Sequence, residues 1–173
     1  VTQTITTGNA SVTSSVGGSI SGSASVCSGT NSTVLTLSGE TGSITKWQSS
    51  SVSDFSSGVT DIANTTTSLI ANNLTSTTYY RAVVTSGVCP FVTSGTVTVT
   101  VNPLSSVGSV SANQTICSGN SPSSDITLSS ATGNIQWQSA DDAGFTSNVI
   151  NIGTNSTTLT SVEIGTLTAT KYF

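Results

Sequence analysis

The stretch Thr96-Val97-Thr98-Val99-Thr100-Val101 alternates a hydroxylated residue with a β-branched apolar residue. Successive side chains of a β-strand point to opposite faces of a sheet, so this period of two predicts a strand with one buried face. Val, Ile and Leu recur in the same alternation elsewhere in the chain. With 6% charged residues and no Met or His, the composition lacks the Glu and Lys content of helical domains. We therefore expect an all-β fold.

Several short segments occur twice, about ninety residues apart. Cys27-Ser28-Gly29 recurs as Cys117-Ser118-Gly119, and Trp47-Gln48-Ser49 recurs as Trp137-Gln138-Ser139. This period is too long for a solenoid unit and suits self-contained domains that each bury a core. The chain is therefore interpreted as part of a tandem array.

The repeats predict the domain organisation. We expect residues 1–16 to be the end of a preceding repeat with its linker, residues 17–103 to be a complete repeat, and residues 104–173 to be a second repeat that stops before its last strands. Glycines and Asn-rich turns separate the predicted strands of the complete repeat. These strands are Ser19–Ser21, Val34–Leu37, Ile44–Gln48, Ser68–Ala71, Tyr79–Thr85 and Thr96–Val101.

One strand differs in spacing between the repeats. Ile135 and Trp137 are two residues apart and share a face, whereas Ile44 and Trp47 are three residues apart. Both side chains of the first repeat can point inward only if the strand carries an extra residue. We expect a β-bulge near Thr45 and Lys46.

The segment Leu74-Thr75-Ser76-Thr77-Thr78-Tyr79-Tyr80-Arg81-Ala82-Val83-Val84 resembles the corner before strand F of fibronectin type III and immunoglobulin-like domains. Leu167 and Phe173 keep the spacing of Leu74 and Tyr80. The resemblance implies tandem immunoglobulin-like or fibronectin III-like β-sandwiches, in which Tyr80 and Phe173 pack in the core. Trp47 and Trp137 lie on the strand where such sandwiches bury a Trp, although an exposed aromatic platform for sugars is the alternative.

The three cysteines favour an oxidising compartment. Cys27 and Cys89 flank the complete repeat, and we expect a disulfide between them that joins the first-strand side to the last hairpin or last strand. Two free buried thiols are the alternative. Structural metal binding is disfavoured, because no CxxC pair and no His are present to complete a tetrahedral site.

The chain offers few groups for catalysis. It has no His to act as a general base, and its seven Asp and Glu residues are scattered, with only Asp141 and Asp142 adjacent. That pair could hold calcium weakly with nearby carbonyls, or it could be part of a polar turn. We expect no enzyme activity, no cofactor and no metal.

Charge and hydropathy exclude two classes of partner. The net charge is −4 and Lys46, Arg81 and Lys171 are the only cations, which argues against nucleic-acid binding. No apolar run is long enough to insert into a membrane.

Taken together, the segments around Cys27, Trp47, Tyr80 and Val97–Pro103 resemble the immunoglobulin-like repeats of giant Bacteroidota surface proteins exported by the type IX secretion system. The likeness is greatest to SprB-type gliding motility adhesins. The resemblance implies an extracellular, cell-surface location and a stalk or spacer role in an adhesin filament. The partners would be neighbouring repeats, surface polysaccharide or other filament subunits.

Two alternatives to the spacer remain open. The first is a carbohydrate-binding or accessory module of a large secreted enzyme, which needs an exposed aromatic or polar cluster on one sheet face. The second makes the repeats themselves adhesive, through weak polysaccharide binding at many copies. The aromatic residues left for such a surface are Phe55, Phe91, Phe145, Tyr79 and Tyr172.

Overall fold

A computed structural model describes residues 13–173 of the chain. Strands make up 42% of it and helix 2%, which confirms the all-β prediction. The described residues form two compact units that divide between Asn102 and Pro103. We call the residues up to Asn102 unit 1 and Pro103–Phe173 unit 2.

Unit 1 contains nine strands in two sheets. The strands are β1 Ser19–Ser21, β2 Ala24–Cys27, β3 Ser32–Ser38, β4 Ser43–Ser50, β5 Thr60–Ile62, β6 Ser68–Asn72, β7 Thr78–Thr85, β8 Val92–Thr93 and β9 Val97–Asn102 within the described residues. One sheet has the strand order β1-β3-β6, and the other has the order β2-β9-β7-β4-β5, with β8 also paired to β7. Strand β2 runs parallel to β9, whereas the other pairs are antiparallel.

The core of unit 1 lies between these sheets. Alternate residues of each strand face inward, so the polar and apolar pattern of the sequence becomes an outer and an inner face. Trp47 is completely buried, and its indole Nε1 donates a hydrogen bond to the carbonyl oxygen of Thr66 at 3.0 Å. The buried cluster comprises Leu35, Leu37, Ile44, Trp47, Leu69, Ala71, Tyr80, Ala82, Val84, Val97 and Val99.

Strand β4 carries the β-bulge that the spacing of Ile44 and Trp47 predicts. Its register against β7 shifts between Ile44 and Lys46, and Ile44 and Trp47 are 9% and 0% exposed. The extra residue, Thr45, donates a hydrogen bond from its hydroxyl to the carbonyl oxygen of Val83 at 3.1 Å. The bulge therefore keeps both apolar side chains on the inner face.

One asparagine side chain joins the two loops at the end of unit 1. The Asn31 amide Nδ2 donates to the carbonyl oxygens of Cys27 and Leu74, each at 2.8 Å. Its Oδ1 accepts from the Leu74 N–H at 2.9 Å. These bonds hold the loop after β2 against the corner before β7.

The predicted disulfide between Cys27 and Cys89 is wrong. Cys27 pairs with Asn102 at the end of the sheet where β7 begins, whereas Cys89 lies in the loop after β7 ends. Eight strand residues separate these ends by roughly 25 Å, and a disulfide needs Cα atoms within about 7 Å. All three thiols are unpaired, with Cys27 and Cys117 exposed and Cys89 half-buried.

Unit 2 repeats part of this plan with shorter strands. The elements are β10 Ser109–Val110, β11 Ile126–Ser129, β12 Trp137–Ser139, β13 Ile150–Ile152, β14 Thr158–Leu159 and the single helical turn α1 Ser161–Ile164. One sheet has the order β10-β11-β14, and a second sheet pairs β12 with β13. Trp137, Leu159 and Ile164 form the buried cluster of unit 2, and Phe173 packs against this cluster while staying partly exposed.

The helical turn α1 has a complete capping box. The Thr160 hydroxyl accepts from the Glu163 N–H, and the Glu163 carboxylate accepts from the Thr160 N–H at 2.8 Å. The Thr-x-x-Glu spacing is the usual signal for such a helix start. The Glu163 carboxylate thus accepts hydrogen bonds within its own helical turn, and these bonds from Thr160 lower the pKa of Glu163.

Candidate functional site

A row of hydrogen-bonded polar side chains crosses the outer face of the larger sheet of unit 1. The Lys46 Nζ lies 2.7 Å from the Asp61 Oδ2, and the Gln48 Nε2 donates to the Asp61 Oδ1 at 2.8 Å. The Arg81 Nε donates to the Gln48 Oε1 at 2.8 Å. Strands β5, β4 and β7 are neighbours, so their outward residues meet although they are far apart in sequence. We call these four residues the polar row.

The guanidinium of Arg81 is also held from a second side. Its Cζ lies 4.1 Å from the centre of the Phe55 ring, a cation–π contact. Phe55 is only 7% exposed and has a positive φ of 57°, in a turn where the Asp54 carboxylate accepts from the Ser56 N–H. Hydrogen bonding and stacking therefore fix the direction of the arginine side chain.

The electrostatics keep Asp61 ionised. The hydrogen bond from Lys46, followed by that from Gln48, lowers the pKa of the Asp61 carboxyl from its ordinary value. The carboxylate lies at the edge of the row and is exposed. Its charge is neutralised by Lys46, while Arg81 is held by two neutral groups, the side-chain amide of Gln48 in the row and the ring of Phe55 outside it.

A groove of about 310 Å³ lies beside the polar row. Its walls include Lys46, Gln48 and Arg81 from the row, and Phe91 from the loop before β8. Phe91 is 68% exposed, while Val83, also part of the lining, is 5% exposed. We call this the Phe91 groove.

The chemistry of the Phe91 groove suits a polar ligand, neutral or anionic, because its lining includes Lys46 and Arg81 and, among the described residues, no carboxylate. Amide and guanidinium groups can donate to ligand hydroxyls, Gln48 can also accept, and an exposed aromatic ring offers an apolar surface. A sugar ring presents both kinds of surface. The lining contains no nucleophile paired with a general base.

The aromatic residues that the sequence analysis named as possible sugar-binding or core residues fall into two groups, buried and groove-lining. Trp47, Tyr80 and Trp137 are 0%, 4% and 5% exposed and lie in cores, so the Trp residues form no sugar platform. Burial raises the pKa of the Tyr80 hydroxyl. Among the candidate aromatic residues, Phe91 lines the groove. Phe55 is not part of the lining and makes the cation–π contact with Arg81.

The Asp141–Asp142 pair forms a turn in unit 2. The Asp142 carboxylate accepts from the N–H groups of Gly144, Thr146 and Ser147, and the hydrogen bond from Thr146 contributes most to lowering its pKa. Asp141 pairs with Lys171. Within residues 13–173, no three Cys, Asp or Glu side chains cluster in a way that could hold a metal ion. The oxygens that calcium would need are already used as acceptors, in agreement with the polar-turn alternative.

One protein-family model matches both units of the chain. A family model described as a domain of unknown function, DUF8696, matches residues 16–103 and again residues 106–173. The chain belongs to the DUF8696 family. A comparison with curated proteins finds no match. Within residues 13–173, no helix of the DUF8696 repeats has the length and apolar character needed to cross a bilayer.

The polar row is neutral in the second DUF8696 repeat. Gln138 and Asn151 occupy the register of Gln48 and Asp61, and the Gln138 Nε2 donates to the Asn151 Oδ1 at 3.1 Å. Gln136 precedes Trp137 as Lys46 precedes Trp47. The pairing geometry is therefore shared between the repeats, while the ion pair is specific to the first.

Sequence reasoning singled out Phe91 and Lys46 but did not identify Gln48, Asp61 and Arg81 as one group. One signal was available, because the Gln after each Trp falls on the outer face of a strand whose Trp is buried. The partners of that Gln come from β5 and β7, and their approach depends on strand order.

Proposed function

We propose that the chain is a pair of structural repeats that act as spacers in a long extracellular filament, in a cell-surface gliding or attachment adhesin. The resemblance to type IX-exported Bacteroidota repeats supports the class of parent protein. The observation that carries the proposal is the path of the chain through unit 1. The chain enters at one end of the larger sheet and leaves at the other.

The hydrogen bonds near the two ends define this path. The Ser15 Oγ donates to the Pro90 carbonyl at 3.0 Å and accepts from the Ser86 N–H at 2.8 Å, which places Ser15 beside the end of β7. The Val101 N–H donates to the Thr77 hydroxyl at 3.0 Å, which places the exit beside the start of β7. Strand β7 has eight residues, so the two points are roughly 25 Å apart.

This path suits a spacer because a domain that is entered and left at opposite ends lengthens an array by its own long dimension. A domain with adjacent ends would add width instead. The low charge and the Ser and Thr content are compatible with an exposed location. With no disulfide within unit 1, the extracellular assignment rests on the resemblance and on this composition.

The spacer proposal can be tested by measuring length. Proteins that carry one, two and four tandem copies of the whole chain would be compared by small-angle X-ray scattering and electron microscopy. We expect the maximum dimension to increase by roughly 40 Å for each added repeat. A compact particle whose radius grows only with the cube root of mass would contradict the proposal.

Location needs a separate experiment. Intact cells that produce the parent protein would be treated with an external protease, and the repeats would be detected with an antibody against this chain. Loss of the signal, with a cytosolic marker retained, is expected. Protection of the repeats until the cells are lysed would contradict a cell-surface role.

Weak sugar binding by the repeat is a second candidate, and the Phe91 groove is the observation that favours it. An exposed aromatic ring stands beside hydrogen-bonding groups whose positions are fixed. A glycan array probed with multivalent protein would test it, because many weak sites act together. We expect Phe91→Ala and Arg81→Ala to abolish retention, while Ile70→Thr, on the outer face of the other sheet, leaves it unchanged. Absence of binding at high valency would remove this candidate.

A further inference from the structure

One positive charge of the polar row has no carboxylate partner. Lys46 pairs with Asp61. The other ion pair among the described residues joins Lys171 to Asp141 in unit 2. Arg81, which is partly buried, therefore pairs with no Asp or Glu in the part of the chain that the structure describes. The row has a net positive charge, and an anionic group of a ligand can supply the missing partner.

The guanidinium group of Arg81 is held so that one of its edges remains for a ligand. Its Nε donates to the Gln48 Oε1 at 2.8 Å, and its Cζ lies 4.1 Å from the centre of the Phe55 ring. Its Nη1 and Nη2 make no hydrogen bond to residues 13–173. These two nitrogens lie side by side at the end of the group, and their N–H bonds match the two oxygens of a carboxylate. Because the side chain is already fixed, a carboxylate that binds there loses little free energy to ordering it.

The Phe91 groove brings the surfaces of a sugar site next to this guanidinium. Phe91 offers an aromatic ring that is 68% exposed, and Thr85 and Thr93, whose hydroxyl groups can donate and accept hydrogen bonds, also line the groove. The volume of about 310 Å³ lies at the lower end of the range for small-molecule sites, roughly 300–1,000 Å³. Among the described residues, the lining contains Lys46 and Arg81 and no Asp or Glu. The groove therefore suits one sugar unit that carries a negative charge.

The floor of the groove disfavours a peptide as its ligand. Arg81, Val83 and Thr85 are alternate residues on the outer face of β7. Strand β7 pairs here with β4 on one side and with β8 on the other, so its backbone groups are used within the sheet. An extended peptide gains much of its affinity by adding a strand to an open sheet edge. Since β7 offers no such edge, recognition in the groove relies on side chains, which favours a sugar over an acidic peptide.

We propose that the Phe91 groove binds a sugar that bears a carboxylate, such as a uronate unit of an acidic polysaccharide. The carboxylate pairs with Nη1 and Nη2 of Arg81, and the sugar ring packs on Phe91. Arg81 sets the preference for an acidic sugar, whereas Phe91 supports acidic and neutral sugars alike. The proposal rests on the sugar-binding candidate function and names the class of sugar. It is independent of the spacer function, which is tested by length.

The test compares two ligands that differ in charge. Oligogalacturonate and its methyl ester, of equal chain length and in calcium-free buffer, would be titrated into the whole isotope-labelled chain and followed by NMR. We expect shift changes at the Arg81 Nε–H and at the backbone amides of Phe91 and Thr93, with the amides of unit 2 unchanged. The free acid should bind at least about tenfold more tightly than the ester, because the ester cannot form charge-assisted hydrogen bonds with the guanidinium.

Three variants separate geometry, stacking and charge. Arg81→Lys keeps the charge but loses the planar pair of donors, and we expect the preference for the acid over the ester to fall below about threefold. Phe91→Ala should weaken binding of both ligands about fivefold and leave their ratio unchanged. Lys171→Gln is the matched control, because it removes one positive charge from unit 2, outside the groove. Binding of the acid to this control should change by less than about twofold.

The outcomes separate this proposal from sugar binding in general. Equal binding of acid and ester at the groove would overturn the acidic sugar and leave sugar binding by the groove in place. Binding of neither ligand would also overturn the acidic sugar, and the glycan array would then decide separately about other sugars. The proposal fails as well if a glutamate peptide of equal charge binds as tightly at the same residues. It fails too if Lys171→Gln weakens binding of the acid as much as Arg81→Lys does.

Discussion

Trp47 donates its indole N–H to the carbonyl oxygen of Thr66 at 3.0 Å, and Trp137 makes the equivalent bond to Ser156 at 2.9 Å. Each bond joins the strand that carries the Trp, β4 or β12, to the loop before the next strand of the opposite sheet, β6 or β14. The tryptophan therefore contributes both apolar area and a hydrogen bond that a smaller aromatic residue cannot make.

We expect Trp47→Phe to lower the free energy of unfolding of unit 1 by about 2 kcal/mol, through a small cavity and an unpaired Thr66 carbonyl. Urea denaturation followed by NMR would measure it. Val88→Ala is the control, because Val88 is 94% exposed and its truncation should change stability by less than about 0.5 kcal/mol. Equal effects of the two substitutions would contradict the role of Trp47.

The Asp61 carboxylate should make stability depend on pH. Its folded pKa lies below the ordinary 3.8, so its contribution is fully present above that value and is lost as the pH falls through the folded pKa. We expect the urea midpoint of the wild type to exceed that of Asp61→Asn at pH 7, with the difference vanishing at low pH. In an NMR titration, Lys46→Gln should raise the pKa of Asp61. An unchanged pKa in that variant would rule out Lys46 as its cause.

Deletion of Thr45 should be tolerated. Without this residue Ile44 still faces Val84 and Lys46 still faces Val83, so β4 becomes a regular strand in which the Ile and the Trp have the two-residue spacing of Ile135 and Trp137. The expected loss is about 1 kcal/mol, for the hydrogen bond from Thr45 to Val83. Deletion of Gln48 is the matched control, because Ser49 and Ser50 then change faces of the sheet. The buried Ser50 loses its hydrogen bonds with Val52 and Ser57, and unit 1 should be destabilised far more. Thermal denaturation would compare them, and a larger loss for the Thr45 deletion would refute the bulge argument.

Two glycines offer a steric test of the fold. A Cβ at Gly17 would lie 2.1 Å from the backbone oxygen of Thr93, whereas a Cβ at Gly95 would meet nothing within 4 Å. We expect Gly17→Ala to cost about 2 kcal/mol or more, and Gly95→Ala to be neutral or slightly stabilising. Chemical denaturation of the two variants would measure both values. Equal stability of the two variants would contradict the close packing of residue 17 against the backbone of β8.

The cysteines should remain reduced in a folded chain. We expect the intact mass after non-reducing purification to correspond to three thiols, all of which react with iodoacetamide, and Cys27 and Cys117 to react faster than Cys89. Cys27→Ser and Cys89→Ser should each change the unfolding midpoint little, with or without reductant. A mass lower by two hydrogens, together with a midpoint that falls on reduction, would indicate a disulfide.

Local sequence patterns were sufficient for several elements. The strand predicted at Ser19–Ser21 coincides with β1, and the alternating run at Thr96–Val101 coincides with β9 to within one residue. The extra residue between Ile44 and Trp47 indicated the bulge. These features depend on the period of side chains along one strand, which the chain carries by itself.

Other elements have no such local signal. Strands β2, β5 and β8 were not predicted, since they are two to four residues long and are defined by pairing with β9, β4 and β7. The disulfide prediction failed for a related reason. Cysteine spacing does not reveal at which end of a sheet each residue lies.

The all-β class, the repetition and the buried side of each long strand follow from the order of residues, because alternation and repetition are properties of that order. The grouping of Lys46, Asp61, Gln48 and Arg81 into one row, and the position of Cys27 and Cys89 at opposite ends of a sheet, became visible only in the folded chain. Strand order and direction arise from long-range pairing between segments, and the burial pattern of one strand does not specify its neighbour.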